Sequence, residues 1–162
     1  MNRAPPLIVA GFVGLALGYQ LSHGRLFDED TVRSPPIVFQ PAMTLGDRTL
    51  PFAETVQVGS ILYLAGQIGL PPGSTELVAG GIAAETRQTM DNIKRIVEKH
   101  GSSMDRIVKC TVFLADIGDW QEMNEVYVSY FPDQPPARSA LGVAGLALGA
   151  RTEIECLAVT ED

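Results

Sequence analysis

The chain of 162 residues predicts an α+β domain, a mixed sheet with two helices on one face. Three observations lead there. Two β-prone runs flank a short glycine turn, two stretches carry apolar residues every three to four positions, and further β-branched, apolar runs lie between and after those stretches. With 46% hydrophobic and 19% charged residues, the composition is that of a globular chain. Its length suits one core plus a short extension.

In chain order, Thr55-Val56-Gln57-Val58 and Ile61-Leu62-Tyr63-Leu64-Ala65 surround Gly59-Ser60, a two-residue Gly-X turn that predicts a hairpin. Pro71-Pro72-Gly73-Ser74 reads as a loop. Ile82, Thr86, Met90 or Thr89, Ile93 and Ile96/Val97 fall on one helical stripe, predicting a helix over 82–100 that Gly101 closes as the residue past its end. The run 108–114 is a predicted strand. Asp119-Trp120-Gln121-Glu122 has the pattern of a capping box opening a second helix, on which Trp120, Met123, Val126/Tyr127 and Tyr130/Phe131 recur; Pro132, Pro135 and Pro136 stop it. This aromatic stripe reads as core rather than as a cofactor box. Strands over 137–143 and 151–159 complete the order ββαβαββ.

The beginning of the chain has a different character. Residues 4–21 contain no charge and follow Arg3, the pattern of a membrane-targeting segment, either a signal anchor or a cleaved signal peptide. Residues 1–22 are therefore expected to place the protein at the membrane or outside the cytoplasm, with Arg3 on the cytoplasmic side. Residues 23–50 are polar and proline-punctuated and read as a linker or arm. The folded domain is expected over 51–162.

Composition also excludes function classes. A net charge of −7 argues against binding nucleic acid by phosphate neutralisation. The two histidines, His23 and His100, and two cysteines, Cys110 and Cys156, form no metal-ligand spacing and no Ser-His-Asp constellation. No metal or cofactor is expected, and chemistry must come from carboxylates, arginine and backbone groups. The cysteines read as small apolar side chains in strands, able to pair only if the fold brings their Cα atoms within about 7 Å.

Five stretches in one order are similar to the reactive-intermediate deaminase family, also called Rid or YjgF. They are Gly66-Gln67-Ile68-Gly69, Thr111-Val112-Phe113-Leu114 with Asp116, Asn124-Glu125-Val126-Tyr127 with Tyr130-Phe131, Pro136-Ala137-Arg138-Ser139, and Glu153-Ile154-Glu155. The resemblance covers residues from about 52 to 160. It implies the chorismate-mutase-like fold, a homotrimer with sites between subunits, and hydrolysis of 2-aminoacrylate and of 2-iminopropanoate or 2-iminobutanoate to 2-keto acids and ammonia.

Carried over residue by residue, the resemblance makes Arg138 the clamp for a small carboxylate, a task suited to a planar bidentate guanidinium. Glu153 becomes the group that orients water and shuttles its proton. Glu153 and Glu155 share one strand face, and both would otherwise read as solvated carboxylates. Substrate-binding positions fall on Phe52, Ala65, Gly66, Asn124 and Ala140. Phe52 stands where many members have tyrosine, Ala65 where serine is common and Ala140 where cysteine is frequent, so the pocket has fewer hydroxyl and thiol groups; Ala147 stands where proline is usual in the loop before the last strand. The alternatives are a non-catalytic module binding small carboxylates and a membrane-tethered, chaperone-like trimer. A ribonuclease role, which has been attached to relatives, fits poorly with the acidic balance and the lack of a histidine pair.

Overall fold

Strands begin earlier than the sequence suggests. The computed structural model describes residues 34–161. Within the expected linker it has β1 (Ile37–Phe39) and β2 (Ala42–Leu45), followed by β3 (Arg48–Ala53). Proline lacks an N–H and is confined to strand edges, so Pro36, Pro41 and Pro51 mask these strands from a pattern reading. β1 lies at one edge of the main sheet, and β2 and β3 pair only with each other.

The predicted hairpin is present as β4 (Thr55–Val58) and β5 (Ile61–Leu64), with Val58 opposite Ile61 and Gly59 at φ 60° in the turn. After β6 (Gln67–Ile68), α1 spans Gly81–Lys99 and ends at His100, with Gly101 at φ 74° as expected. β7 (Ile107–Leu114), α2 (Trp120–Val128), β8 (Ala137–Gly142) and β9 (Thr152–Val159) follow. The seven-stranded sheet runs β1-β4-β5-β9-β7-β8, with β6 also beside β9; β8 is parallel to β7 and the other pairings are antiparallel. The sheet is mixed and carries both helices, so the α+β class holds.

The start of α2 differs in detail. Asp119 makes no side-chain cap; its carboxylate pairs with Arg151 at 3.2 Å, and Asp116 accepts the Gly118 N–H at 2.8 Å one turn earlier. The capping pattern shifts because a 3-10 turn over Ile117–Asp119 precedes the helix.

The core lies between helices and sheet. Ile82, Met90, Ile93, Ile96 and Val97 of α1 and Met123 and Tyr127 of α2 pack with Phe131 on Leu62, Leu64, Val112, Leu114, Ile154 and Ala158. In β7 and β9 these inward residues alternate with Thr111, Phe113, Glu153 and Glu155, which face away from the helices. On that second face Ile61 and Tyr63 are 40% and 44% exposed, leaving an apolar surface with no covering layer among the described residues.

One open question is answered and one expectation is corrected. The sequence leaves the pairing of the cysteines open; Cys110 and Cys156 are directly opposite on β7 and β9 with Cα atoms 4.1 Å apart, and they form a disulfide. Sequence spacing could not show this, because the pairing depends on the strand register. The expectation of a membrane-anchored or exported protein is not upheld. Among the described residues no helix is long and apolar enough to cross a membrane; α1 carries Glu85, Arg87, Asp91, Lys94, Arg95, Glu98 and Lys99 along its length. The apolar segment over residues 4–21 lies outside the described residues.

The disulfide closes a loop with a sequence separation of 46, and chain-entropy arguments give such a link about 4 kcal/mol of stabilisation. Reduction under native conditions is expected to lower the urea midpoint by about 1 M or more, since the urea slope of a small domain is about 1–3 kcal/mol per molar. An unchanged midpoint after verified reduction contradicts that contribution.

Candidate active site in two halves

The residues singled out in the sequence fall into two groups. Phe52, Gly66 and Glu153 line a cavity of about 570 Å³ between the β2–β3 hairpin, β6, α1 and the loop before β9. Ala65 adjoins it through the main chain, its N–H donating to the Glu54 carbonyl and its own carbonyl accepting from Gln67 Nε2 at 3.0 Å. Gln67, buried, also donates to the Gly66 carbonyl at 3.2 Å. This side chain therefore fixes the backbone that borders the Glu153 carboxylate.

Gly66 is required for a steric reason. A Cβ there would collide with the Glu153 carboxylate as it is placed, so glycine is what lets the carboxylate lie against this strand end. Burial raises the Glu153 pKa above its ordinary value, and the neighbouring negative charge of Glu155 raises it further. A carboxylate held in this way is a stronger base than one in water.

The loop entering β9 is held from behind. Glu85, buried on α1, accepts the Arg151 N–H at 2.8 Å, and Asn92 donates to the carbonyls of Ile68 and Leu70 at 3.2 and 2.8 Å. Between these supports, Leu148 adopts φ 56°, the one positive φ at a non-glycine among the described residues, and lines the cavity. Such a backbone is costly and persists only where the surroundings impose it. The sequence reading missed Gln67, Glu85 and Asn92 as supports, since a buried amide or carboxylate on an amphipathic helix has no motif of its own.

Arg138, Ala140 and Asn124 form the second group, elsewhere on the molecule. The Arg138 guanidinium lies over the Tyr127 ring at 4.6 Å and the Trp120 ring at 5.7 Å. Asn124 is four residues after Trp120 and three before Tyr127, on the same helical stripe. The aromatic residues thus divide their work. Tyr127 and Phe131 are core as expected, whereas Trp120 is 41% exposed and supports the arginine. Burial pushes the Tyr127 phenol up to about 12, against the opposing pull of the Arg138 charge. None of the ion pairs among the described residues involves Arg138, so its fork of donors is not committed to any carboxylate among them.

Register shows why the two groups are apart. Arg138 is paired with Cys110, and Cys110 with Cys156, all on the helix side of the sheet. Glu153 is three residues from Cys156 and so projects from the opposite side. Within one chain, the arginine and the glutamate point away from each other.

Residues 47–160 match the family model described as Endoribonuclease L-PSP. The chain belongs to this family, the Rid (YjgF) proteins. The 2-iminobutanoate/2-iminopropanoate deaminase of Mus musculus is 43% identical over 109 residues, 67% of this chain and 81% of its own length. The crystal structure of yeast Mmf1 matches with a TM-score of 0.70 at 32% identity, over 78% of this chain and 100% of that one. The YjgF gene product of E. coli does so with a TM-score of 0.66 at 37% identity, over 75% and 94%. The matched range begins well after residues 4–21, so membrane association has no part in the functional reading of this Rid domain.

If Gly66 makes room for the Glu153 carboxylate, Gly66→Ala displaces that group toward solvent. Its carboxyl titration, followed by NMR, is expected to fall back toward the ordinary value of 4.5. An unmoved titration in a folded variant contradicts the close approach.

Proposed function

We propose that this chain is a 2-iminobutanoate/2-iminopropanoate deaminase-like hydrolase whose site is completed between two copies. Arg138 of one copy grips the substrate carboxylate, and Glu153 of the next activates water. The observation that carries the reading is the opposite facing of these residues in one chain, each surrounded by other candidate site residues. The uncovered sheet face bearing Ile61, Tyr63, Glu153 and Glu155 suits association with a further copy. A homotrimer is the arrangement the family implies.

The chemistry follows from the groups present. A 2-imino acid presents a carboxylate beside an electrophilic C=N carbon, and an enamine such as 2-aminoacrylate reaches the same state after proton transfer to carbon. Bidentate binding by Arg138 fixes the plane of the carboxylate and with it the face of the imine. Glu153 takes a proton as the water oxygen bonds to that carbon and the C=N π pair moves to nitrogen. The imine enters protonated, so this step leaves a neutral carbinolamine. The same carboxyl returns its proton to nitrogen, and as the C–N bond breaks to release ammonia the hydroxyl oxygen forms the C=O bond and passes its proton to the Glu153 carboxylate, leaving the 2-keto acid. Main-chain groups at Ala65, Gly66 and Ala140 and the amide of Asn124 can bind the remaining polar edges, while Phe52 walls the pocket. With alanine at 65 and 140, discrimination rests on backbone and shape rather than on hydroxyl or thiol groups.

Cleavage of RNA is not supported by this arrangement. The chain has a net charge of −7, the wrong sign for gathering a run of phosphates.

A single set of assays tests the proposal, with 2-imino acids generated in situ by an amino-acid oxidase. Wild type is expected to accelerate ammonia release, and Arg138→Ala to lower kcat/KM about a hundredfold or more, the usual scale for losing a charge-stabilising donor. Glu153 must be ionised to act as base, so the acid limb of kcat/KM should lie above 4.5, and Glu155→Gln should move it down. Full activity in Arg138→Ala overturns the clamp; ligand binding without turnover overturns the hydrolase.

A further inference from the structure

The cavity around Glu153 is larger than a three- or four-carbon imino acid needs. At about 570 Å³ it falls within the roughly 300–1,000 Å³ of sites for drug-sized ligands. Its lining includes the apolar Leu45, Leu50, Ile68 and Leu70. It also carries charge: Glu54, Arg95 and Lys99 line the same space as Glu153.

The cluster of Glu54, Arg95 and Lys99 carries more positive charge than it uses. Glu54, buried at the start of the hairpin, accepts from Lys99 Nζ at 2.6 Å and lies 3.1 Å from His100 Nε2, while Arg95 NH1 is 3.7 Å away. Burial disfavours the ionised Glu54, but the Lys99 and His100 hydrogen bonds and the charges of Lys99 and Arg95 prevail, so its pKa is lowered and it is a carboxylate at neutral pH. One negative charge therefore faces two permanent positive ones. Arg95 is paired at 3.7 Å only, and its guanidinium is about half exposed. Its forked donors are placed to receive a second carboxylate.

We propose that Arg95 and Lys99 form a distal anion subsite, so that the imino acids favoured by this chain carry a second carboxylate at the end of the side chain. This rests on the reading of Glu153 as the reacting end of the cavity. The α-carboxylate and imine lie at Glu153 and the Arg138 of a neighbouring copy, the methylenes of the side chain cross the apolar walls, and the terminal carboxylate meets Arg95. Lys99 keeps Glu54 occupied, which leaves the Arg95 fork to the ligand. The substrate class is the dicarboxylic 2-imino acids, such as those derived from glutamate or its longer homologue.

Binding and turnover separate this inference from the proposed function. The full chain is titrated calorimetrically with 2-oxoglutarate, 2-oxoadipate and 2-oxobutanoate, the first two carrying the second carboxylate. At least one dicarboxylate is expected to bind about tenfold or more tightly than 2-oxobutanoate, as one charge-assisted hydrogen bond supplies. That preference should collapse in the Arg95→Gln/Lys99→Gln double variant and persist in Arg95→Lys/Lys99→Arg, with circular dichroism checking the fold of each. No preference in wild type, or a preference that survives removal of both charges, overturns the subsite. Turnover of 2-iminobutanoate is read separately: activity without the dicarboxylate preference removes the subsite alone, whereas the preference without any turnover removes the hydrolase and retains the subsite.

Discussion

In a β-strand successive side chains point to opposite faces, and this period of two governs where the functional groups of this protein can meet. Glu153 and Cys156 are three apart on β9, so the carboxylate projects from the open face while the cysteine faces the helices. Cys110 of β7 bonds to that cysteine, and Arg138 of β8 is in register with Cys110. No rotamer change brings Arg138 through the sheet to Glu153. The arginine is instead braced on the helix side by the rings of Tyr127 and Trp120, and the glutamate lies in its cavity on the other. A reaction that needs both must draw them from different copies.

Each half is built to hold one group still. On the glutamate side, Gly66 omits the Cβ that would displace the carboxylate, and Gln67 ties down the two carbonyls before it. Glu85 and Asn92 reach from α1 to the loops that border the cavity, so the helix acts as a support for the site as well as a layer of core. On the arginine side, stacking holds the guanidinium plane without consuming its donors. Cation–π contacts of this kind restrict orientation while leaving all N–H groups available to a carboxylate. Charge is thus positioned in both halves at limited energetic cost.

Much of this was legible in the sequence. The hairpin was visible because Gly59-Ser60 lies between two β-branched runs, and α1 because its apolar stripe ends at Gly101. Asp119 looked like a cap because local pattern favours it; the folded chain uses it against Arg151, a partner 32 residues away. Strands β1 to β3 were hidden by proline and by residues that mostly face solvent. The bond between Cys110 and Cys156 was hidden because register is a property of the assembled sheet. Arg138 and Glu153 were singled out by their motif surroundings, but their facing directions needed the pairing of three strands. The support given by Glu85 and Asn92 was beyond reach, since each looks like an ordinary polar position on a helix until the loop it holds is placed beside it.

The central claim is that Arg138 and Glu153 act from different copies, and subunit complementation measures it most directly. Arg138→Ala and Glu153→Gln chains, each inactive alone, are mixed in equal amounts, unfolded and refolded together. Random assembly into a ring pairs an intact arginine with an intact glutamate at about one site in four, whatever the ring size. The account predicts recovery of about a quarter of wild-type activity, whereas a mixture as inactive as its components contradicts it.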